Sequence, residues 1–216
     1  MAEQPDTRQR LLEAGGEVFA ARGFQDATIR EICHRASANV AAVNYHFRDK
    51  ASLYAAVLRY TFERAREKFP LEPNRDRAPE ERLRLYIHSF LMRILGVGRP
   101  AWHGRLAVRE VVDPTPALDS IINDIFRPSF ALLQEIVRNL LGPGATEKAI
   151  HHAAASISGQ CLFYAHSRAV IERMTANADY SQQMIDDVAA HITAFSLGAL
   201  KAMAAANPGG EARSAT

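Results

Sequence analysis

The side chains best suited to contact a partner lie close together, in the segment TIREICHRASANVAAVNYHFRDKASLY between Thr28 and Tyr54. Polar, aromatic and basic residues there follow a run of small ones; they are Asn44, Tyr45, His46, Arg48 and Lys50. Such a mixture is unusual in a protein core, because Lys and Arg are almost never fully buried without a partner. The segment therefore indicates a surface that binds something.

Helix-capping residues in this segment predict two short helices joined by a tight turn. Thr28 and Glu31 form a capping box, in which each side chain is expected to bind a backbone N–H of the other residue. Ser37 lies in the turn, and Asn39 can cap the second helix, which runs to about Phe47. This arrangement is a helix-turn-helix, whose second helix can enter the roughly 12 Å wide major groove of DNA.

Helical periodicity predicts which residues of this pair face outward. Four residues are expected to face the core: Ile32, Ala36, Val43 and Phe47. On the other face, the methyl groups of Ala41 and Ala42 can meet thymine, and Asn44 can pair with adenine. The expected contacts to bases and phosphates are Thr28, Arg30, Asn39, Val40, Ala42, Asn44, Tyr45, His46 and Lys50. Periodicity alone leaves an alternative open, because a Tyr-His-Phe cluster is equally typical of a helix end that packs on a neighbour.

Almost every segment of the chain has a 3.6-residue hydrophobic period, which predicts an all-α fold. A first helix ends near Gly23, and Asp49 caps a long fourth helix that connects to the rest of the chain. The stretch FPLEPNRDRAPEE is rich in proline and charge and indicates a linker near 69–78. We therefore expect a helix-turn-helix three-helix domain with its connecting helix at 1–68 and a larger helical domain at 79–206. Helices in the larger domain are predicted at 79–95, 102–112, from Thr115 with a kink or break at Pro128, at 146–174 and at 180–206.

The amino-terminal segment resembles the DNA-binding domain of TetR-family transcriptional regulators. The resemblance rests on Thr28, on Tyr45-His46-Phe47, on Lys50 and on the upstream stretch ARGFQDATIREIC. The stretches ANVAAVNYHFRDKASLY, REVVDPTPALD, IFRPSF and SGQCLFYAHSR are similar to the CecR-related subgroup, so the resemblance covers nearly the whole chain. Two residues depart from the wider family pattern: Ser37 stands where glycine is usual, and Asn44 where tyrosine is common. The resemblance implies a ligand-responsive regulator, commonly a repressor that a small hydrophobic or drug-like molecule releases from a palindromic operator.

Small residues are dense on the last two predicted helices, beside an apolar stripe that includes Ile185, Ile192 and Phe195. They are Ala153, Ser156 and Gly159 on one helix, and Ala190, Ala194, Gly198 and Ala202 on the other. Small residues let helices approach closely, either in an internal core or across a dimer interface. The resemblance favours the second alternative, a homodimer that forms through these two helices.

The resemblance also implies a small-molecule pocket in the larger domain. Aromatic side chains with a few polar groups suit such a pocket, although any helical core contains them as well. The candidates are Phe90, Trp102, His103, Arg105, Arg109, Phe126, Phe130, Phe163, Tyr164 and His166.

Bulk properties exclude several other classes of protein. The 216 residues carry a formal net charge of +2 and are 48% hydrophobic, which is ordinary for a folded globular protein. The polar start MAEQPDTRQR does not suit a secretory signal, and no long apolar run free of charges predicts a membrane span. Cys33 and Cys161 lie far apart on apolar helix faces, so buried free thiols in a reducing cytoplasm are expected.

Two other functions remain as alternatives at this point. A helical bundle can hold a di-metal carboxylate site, but the chain has a single Glu-x-x-His pair, Glu31 and His34, inside the capping-box helix. No phosphate-binding glycine loop, dinucleotide fingerprint or GxSxG motif is present, so we predict no cofactor, no metal and no enzyme. A helical adaptor that binds protein alone is the second alternative.

Overall fold

The computed structural model describes residues 6–71, 75–95, 100, 102–175 and 180–206. These residues form helices and their connections, with no strand in the described ranges, which confirms the all-α prediction. The helices are α1 (Thr7–Asp26), α2 (Ile29–Arg35), α3 (Val40–Phe47), α4 (Lys50–Lys68), α5 (Pro79–Leu95), α6 (Trp102–Val112), α7 (Leu118–Ile121), α8 (Arg127–Leu141), α9 (Glu147–His166), α10 (Arg168–Met174) and α11 (Gln182–Ala206). A π-helical turn, Ile122–Phe126, joins α7 to α8.

The chain divides into two compact units. The first contains Met1–Lys68 together with Gly98–Ile125, and the second contains Phe69–Val97 together with Phe126–Thr216. The stretch 79–206, which the sequence assigns to one larger domain, therefore contributes to both units. The reason is that α6 packs on α1 and α4, a long-range contact that local sequence patterns do not encode.

In the first unit, apolar faces of α1, α4 and α6 enclose a common core. Phe19 and Tyr54 pack edge to face, with ring centroids 4.8 Å apart, and Phe24 lies 5.0 Å from Tyr54. Gly23 breaks the regular geometry of α1 with φ of 82°, where the sequence predicts the helix stop, and one further turn follows it. Only glycine adopts such a φ without steric cost, so the predicted break is confirmed in its position.

The second unit is built on α5, α8, α9 and α11. Its core residues come from all four helices and include Leu83, Ile87, Leu133, Ile150, Ile157 and Ile192. A buried guanidinium, Arg82, donates to the carboxylate of Glu135 at 2.8 Å. Pro128 lies in the first turn of α8, where its missing N–H costs least, and Ser167 separates α9 from α10 where the sequence predicts one long helix.

Two sequence expectations concern single features of the chain. Cys33 and Cys161 are both buried free thiols, as predicted, and burial raises the pKa of each. By length and composition alone, α11 is apolar enough to cross a membrane. One helix of this kind is weak evidence, because core helices of soluble proteins pass the same test, and the inward residues of α11 do belong to the core of the second unit.

Candidate nucleic-acid interface

Side-chain caps fix the ends of the short helices α2 and α3. The hydroxyl of Thr28 accepts from the backbone N–H of Glu31 at 3.2 Å, and the side-chain oxygen of Asn39 accepts from Ala42 N–H at 2.9 Å. Both predicted caps are confirmed. The Glu31 carboxylate, expected to bind back to Thr28, lies 2.8 Å from Nε of Arg22 instead, so an ion pair links α2 to α1.

The turn between α2 and α3 contains a strained residue. Ser37 has φ of 49°, in the left-handed region. A residue with a side chain is less stable there than glycine by about 1–2 kcal/mol. The neighbouring Ala36 is buried, so the turn holds the two helices at a fixed angle in spite of this strain.

The inner faces of α2 and α3 pack as the periodicity predicts. Ile32 and Val43 are fully buried, and Ala36 and Phe47 are nearly so. Arg8 of α1 lies over the ring of Phe47, with its guanidinium carbon 5.5 Å from the ring centroid. These contacts anchor α3 by one side and leave its opposite side to solvent.

The solvent side of α3 is a narrow stripe of four residues, Val40, Ala41, Asn44 and Tyr45, which we call the outer stripe. All four are exposed, Val40 at 49% and Tyr45 at 86%. Their spacing of i, i+1, i+4 and i+5 places them on one side of a helix. The stripe combines apolar, amide and phenol groups that are all accessible to a partner.

Two predicted contact residues lie at the edge of this stripe and not on it. Ala42 and His46 are half-buried, and the ring of His46 packs edge-on against Tyr45 with centroids 4.9 Å apart. Ala41, the other alanine expected to meet thymine, takes the open position. Ala41 lies four residues before Tyr45, and this spacing places both residues on the same side of a helix.

Basic side chains are present on the three elements next to the outer stripe: on α2, directly after α3 and at the start of α4. Arg30 on α2 is exposed, and Arg48, directly after α3, has a side chain 91% exposed. Lys50 at the start of α4 donates to the carbonyl of Gln25 at 2.9 Å and lies 4.9 Å from the ring centroid of Phe24. The predicted contact set lacks Arg48, although its position immediately after the recognition helix was a usable signal.

Asp49 is an acidic residue between Arg48 and Lys50, and it caps a helix. Its carboxylate accepts from the backbone N–H of Ser52 at 2.7 Å and so caps α4, as predicted. Hydrogen bonds from Ser52 hold the pKa of Asp49 below its usual value. The carboxylate is therefore charged at neutral pH and stabilises the positive end of the α4 dipole.

A buried polar seam joins α6 to α4 in the first unit. The hydroxyl of Tyr54 on α4 donates to the carboxylate of Glu110 on α6 at 2.6 Å. The other carboxylate oxygen accepts from the N–H and the hydroxyl of Thr115, at 3.0 and 2.8 Å. Glu110 is fully buried, and burial together with this carboxylate raises the pKa of Tyr54 well above its usual value.

Two glycines of α1 let α6 approach closely along the same seam. A side chain at Gly16 would lie 2.2 Å from the ring of Trp102, and one at Gly23 would lie 2.4 Å from the guanidinium of Arg109. That guanidinium also donates a hydrogen bond to the backbone carbonyl of Arg22, at 3.4 Å. Sequence reasoning missed this seam, because it assigned Trp102 and Arg109 to a ligand pocket and gave Glu110 no role.

The structure distributes the ten predicted pocket residues over both units. Four of them, Trp102, His103, Arg105 and Arg109, belong to the first unit. The other six belong to the second: Phe90, Phe126, Phe130, Phe163, Tyr164 and His166. Arg105, Phe163 and His166 are exposed. Trp102 and His103 line an open cleft of about 570 Å³ in the first unit, together with Tyr60, Arg64, Glu13 and Glu67.

Two family models match the chain. The model of bacterial regulatory proteins of the tetR family matches residues 11–57, and the model of the carboxy-terminal domain of the HTH-type transcriptional dual regulator CecR matches residues 79–200. Among curated proteins, the regulator SrpR of Pseudomonas putida is 41% identical over 71 residues, which are 33% of this chain and 30% of SrpR. BetI of Serratia proteamaculans is 33% identical over 86 residues, 39% of this chain and 43% of BetI. These matches thus span less than half of either relative.

Solved structures share the fold over most of the chain. A tetR-family regulatory protein from Rhodococcus RHA1 has a TM-score of 0.67 at 22% identity, covering 91% of this chain and 98% of that one. AibR in complex with isovaleryl coenzyme A and operator DNA has a TM-score of 0.66 at 15% identity, covering 88% and 97%. With the capped helix pair, the outer stripe and the match over residues 79–200, these findings identify the chain as a member of the TetR family of transcriptional regulators, with a CecR-type carboxy-terminal domain.

Proposed function

We propose that this protein is a cytoplasmic, ligand-responsive repressor that binds a palindromic operator as a homodimer and leaves it when a small hydrophobic or drug-like molecule binds. The observation that carries the proposal is the outer stripe of α3, which is open to solvent and flanked by Arg30, Arg48 and Lys50. Phosphate contacts from the flanking cations would fix the orientation, and the stripe would read base edges.

The proposed phosphate contacts follow the chemistry of each group. The capped amino end of α2, with Thr28 and Arg30, presents backbone donors and a positive dipole end to a phosphate. Tyr45 and His46 lie near the end of α3, and the ammonium of Lys50 lies beside Gln25 and Phe24. These three side chains would hold a second phosphate by hydroxyl, imidazole and ammonium donors. Asn39 and Ala42 are bonded to each other through the α3 cap, so their proposed contribution is to place the helix end against the groove.

A homodimer through α9 and α11 is supported by residues of the second unit that remain open. Gly159 on α9 and Gly198 on α11 face open space, and Phe163 and Phe195 are more than half exposed. Exposed small and aromatic residues on two long helices suit close packing against a second copy. A two-fold dimer would present two α3 helices to half-sites about 34–36 Å apart, which is why a palindrome is expected.

The ligand response is proposed from the family and from the seam in the first unit. The solved relatives include one bound to isovaleryl coenzyme A and operator DNA and one bound to choline. In this chain, a shift of α6 would act on α4 through the bond between Glu110 and Tyr54. Ligand and operator would then oppose each other, typically with a coupling free energy of about 1–3 kcal/mol.

Binding of the full chain to DNA tests the proposal. Duplexes enriched from a random pool are labelled. The affinity of the protein for them is measured by fluorescence anisotropy between about 50 and 200 mM salt, a range over which protein–DNA affinity changes strongly. The expected result is specific binding that weakens steeply as salt rises. Light scattering should show that the protein is a dimer. Antibiotics and other small hydrophobic compounds are then screened for release. A monomer without enriched sequences would contradict the proposal and favour the adaptor, and a stoichiometric bound metal would favour the enzyme.

A further inference from the structure

The outer stripe has a chemical character that restricts which bases it can read. Val40 and Ala41 offer methyl groups, which match the C5-methyl group of thymine in the major groove. Asn44 offers one amide, which can form a bidentate pair with adenine. Its NH2 group donates to N7, and its oxygen accepts from the N6 amino group. Tyr45 follows these residues in α3, and its exposed hydroxyl suits a phosphate.

The helix α3 lacks a side chain that reads guanine in the usual way. Guanine is most often read by an arginine or lysine that donates to O6 and N7 together. The sequence of α3, VAAVNYHF, contains neither residue, and its single basic residue, His46, is half-buried beside Tyr45. Guanine recognition by α3 would therefore need a side chain from outside the helix.

The neighbouring cations have other positions or other partners. Arg35 contacts the carboxylates of Glu17 and Glu31, at 3.3 and 3.7 Å, and Lys50 donates to the Gln25 carbonyl. Arg30 lies in the first turn of α2, the helix end that suits a phosphate. Arg48 follows the last turn of α3 and so lies at the far end from Val40.

The cap of α3 further limits the choice of reading side chain. The side-chain oxygen of Asn39 accepts from Ala42 N–H, so the cap uses one of its two lone pairs and holds this amide at the helix end. Asn44 is thus the amide on α3 that is available for bidentate pairing. Val40 and Asn44 are one turn apart, about 6 Å along the helix, which corresponds to roughly two base steps of 3.4 Å.

We propose that each operator half-site has a core of A·T pairs facing α3, with a thymine methyl group against Val40 and Ala41 and an adenine against Asn44, one or two base pairs apart. This inference rests on the proposed DNA-binding function and adds the base class that the interface accepts. Guanines and cytosines are confined to flanking positions, where Arg30 or Arg48 can reach.

Selection from random duplexes with the full chain is the first test. The expected half-site contains a thymine and an adenine at the positions of highest information, with G·C pairs depleted between them. Enriched half-sites with an invariant guanine at the centre would overturn the inference and leave the proposed DNA-binding function intact. A pool without enrichment at any position would overturn the proposed function itself.

Base analogues test the two contacts separately on the selected duplex. Replacing the core thymine by uracil removes one methyl group, and replacing the core adenine by 7-deazaadenine removes the N7 acceptor. Loss of the adenine contact should weaken binding by roughly 5- to 150-fold, the range for one good bidentate pair, and loss of the methyl group should cost less.

Matched variants show whether the named side chains make these contacts. Val40→Ala should become less sensitive to uracil, because only the methyl groups of two alanines then face thymine, and should remain sensitive to 7-deazaadenine. Asn44→Ala should lose its sensitivity to 7-deazaadenine and keep its sensitivity to uracil. Both residues are exposed, and circular dichroism with thermal unfolding confirms that each variant folds. If both variants keep the full sensitivity to both analogues, other residues read the core and the inference is wrong.

Discussion

The outer stripe of α3 and the seam between α6 and α4 belong to the same compact unit and are built in opposite ways. Tyr45 on the stripe is 86% exposed, whereas Glu110 in the seam is fully buried with both carboxylate oxygens bonded. The outer stripe is open to a partner, whereas the Glu110 carboxylate is closed off from solvent and bonded on both oxygens. Substitutions on the stripe should therefore change binding without changing stability, and substitutions in the seam should first change stability.

The largest expected effect comes from removing the carboxylate of the seam. Glu110→Ala leaves the buried Tyr54 hydroxyl and the half-buried donors of Thr115 without their acceptor. Each such group costs about 1–3 kcal/mol, so the free energy of unfolding should fall by roughly 2–4 kcal/mol. Urea unfolding followed by circular dichroism measures the loss. Glu63→Ala, at an exposed position of α4, is the matched control and should change stability by less than about 0.5 kcal/mol.

The stripe should give the second largest effect, in DNA binding alone. Asn44→Ala should weaken the selected operator by about 1–3 kcal/mol and relax the preference at one base position. Lys50→Ala should weaken all sequences alike and lower the salt dependence. Anisotropy titrations with a set of point-substituted duplexes separate the two variants. Identical profiles for both would show that the division between base and phosphate contacts is wrong.

Much of the stripe could be predicted from sequence, and little of the seam. The caps at Thr28, Asn39 and Asp49 depend on residues three positions away, and the inward residues of α3 follow a helical period, so local patterns suffice. The contact between Tyr54 and Glu110 joins residues 56 positions apart. Only the packing of α6 on α4 brings them together, which is also why segment 98–125 lies in the first unit.

A substitution in the turn that precedes α3 should raise the free energy of unfolding, by less than Glu110→Ala lowers it. Ser37→Gly removes a side chain from a residue with φ of 49°, so the folded protein should gain about 1 kcal/mol. Operator affinity should stay the same, because the turn keeps its conformation. Ser52→Gly, inside α4, is the control and should lower stability, since glycine is unfavourable within a helix by roughly 0.5–1 kcal/mol. A loss of stability in Ser37→Gly would mean that the strained conformation is compensated by contacts of the side chain.

The smallest effect is expected at the cap of α4, and it depends on pH. The pKa of Asp49 is lower in the folded chain than in the unfolded one, because Ser52 donates to its carboxylate. Its contribution is therefore complete above about pH 4, the unfolded-state pKa, and is lost as pH falls through the folded-state pKa. Asp49→Ala should lower stability at pH 7. In this variant the unfolding midpoint should also fall less steeply than in the parent protein as the pH is lowered below about 4. If the unfolding midpoint depends on acid pH in the same way in both proteins, the charge of Asp49 contributes nothing to the cap.

The central claim is that two copies of α3, held by a dimer, read two half-sites on one face of the double helix. Its most direct test is to insert about half a helical turn, roughly five base pairs, between the half-sites of the selected operator. We predict that the affinity of the full chain falls to that of a duplex with a single half-site, because both outer stripes can no longer reach their grooves together. Equal affinity for the original and the extended operator would contradict the claim.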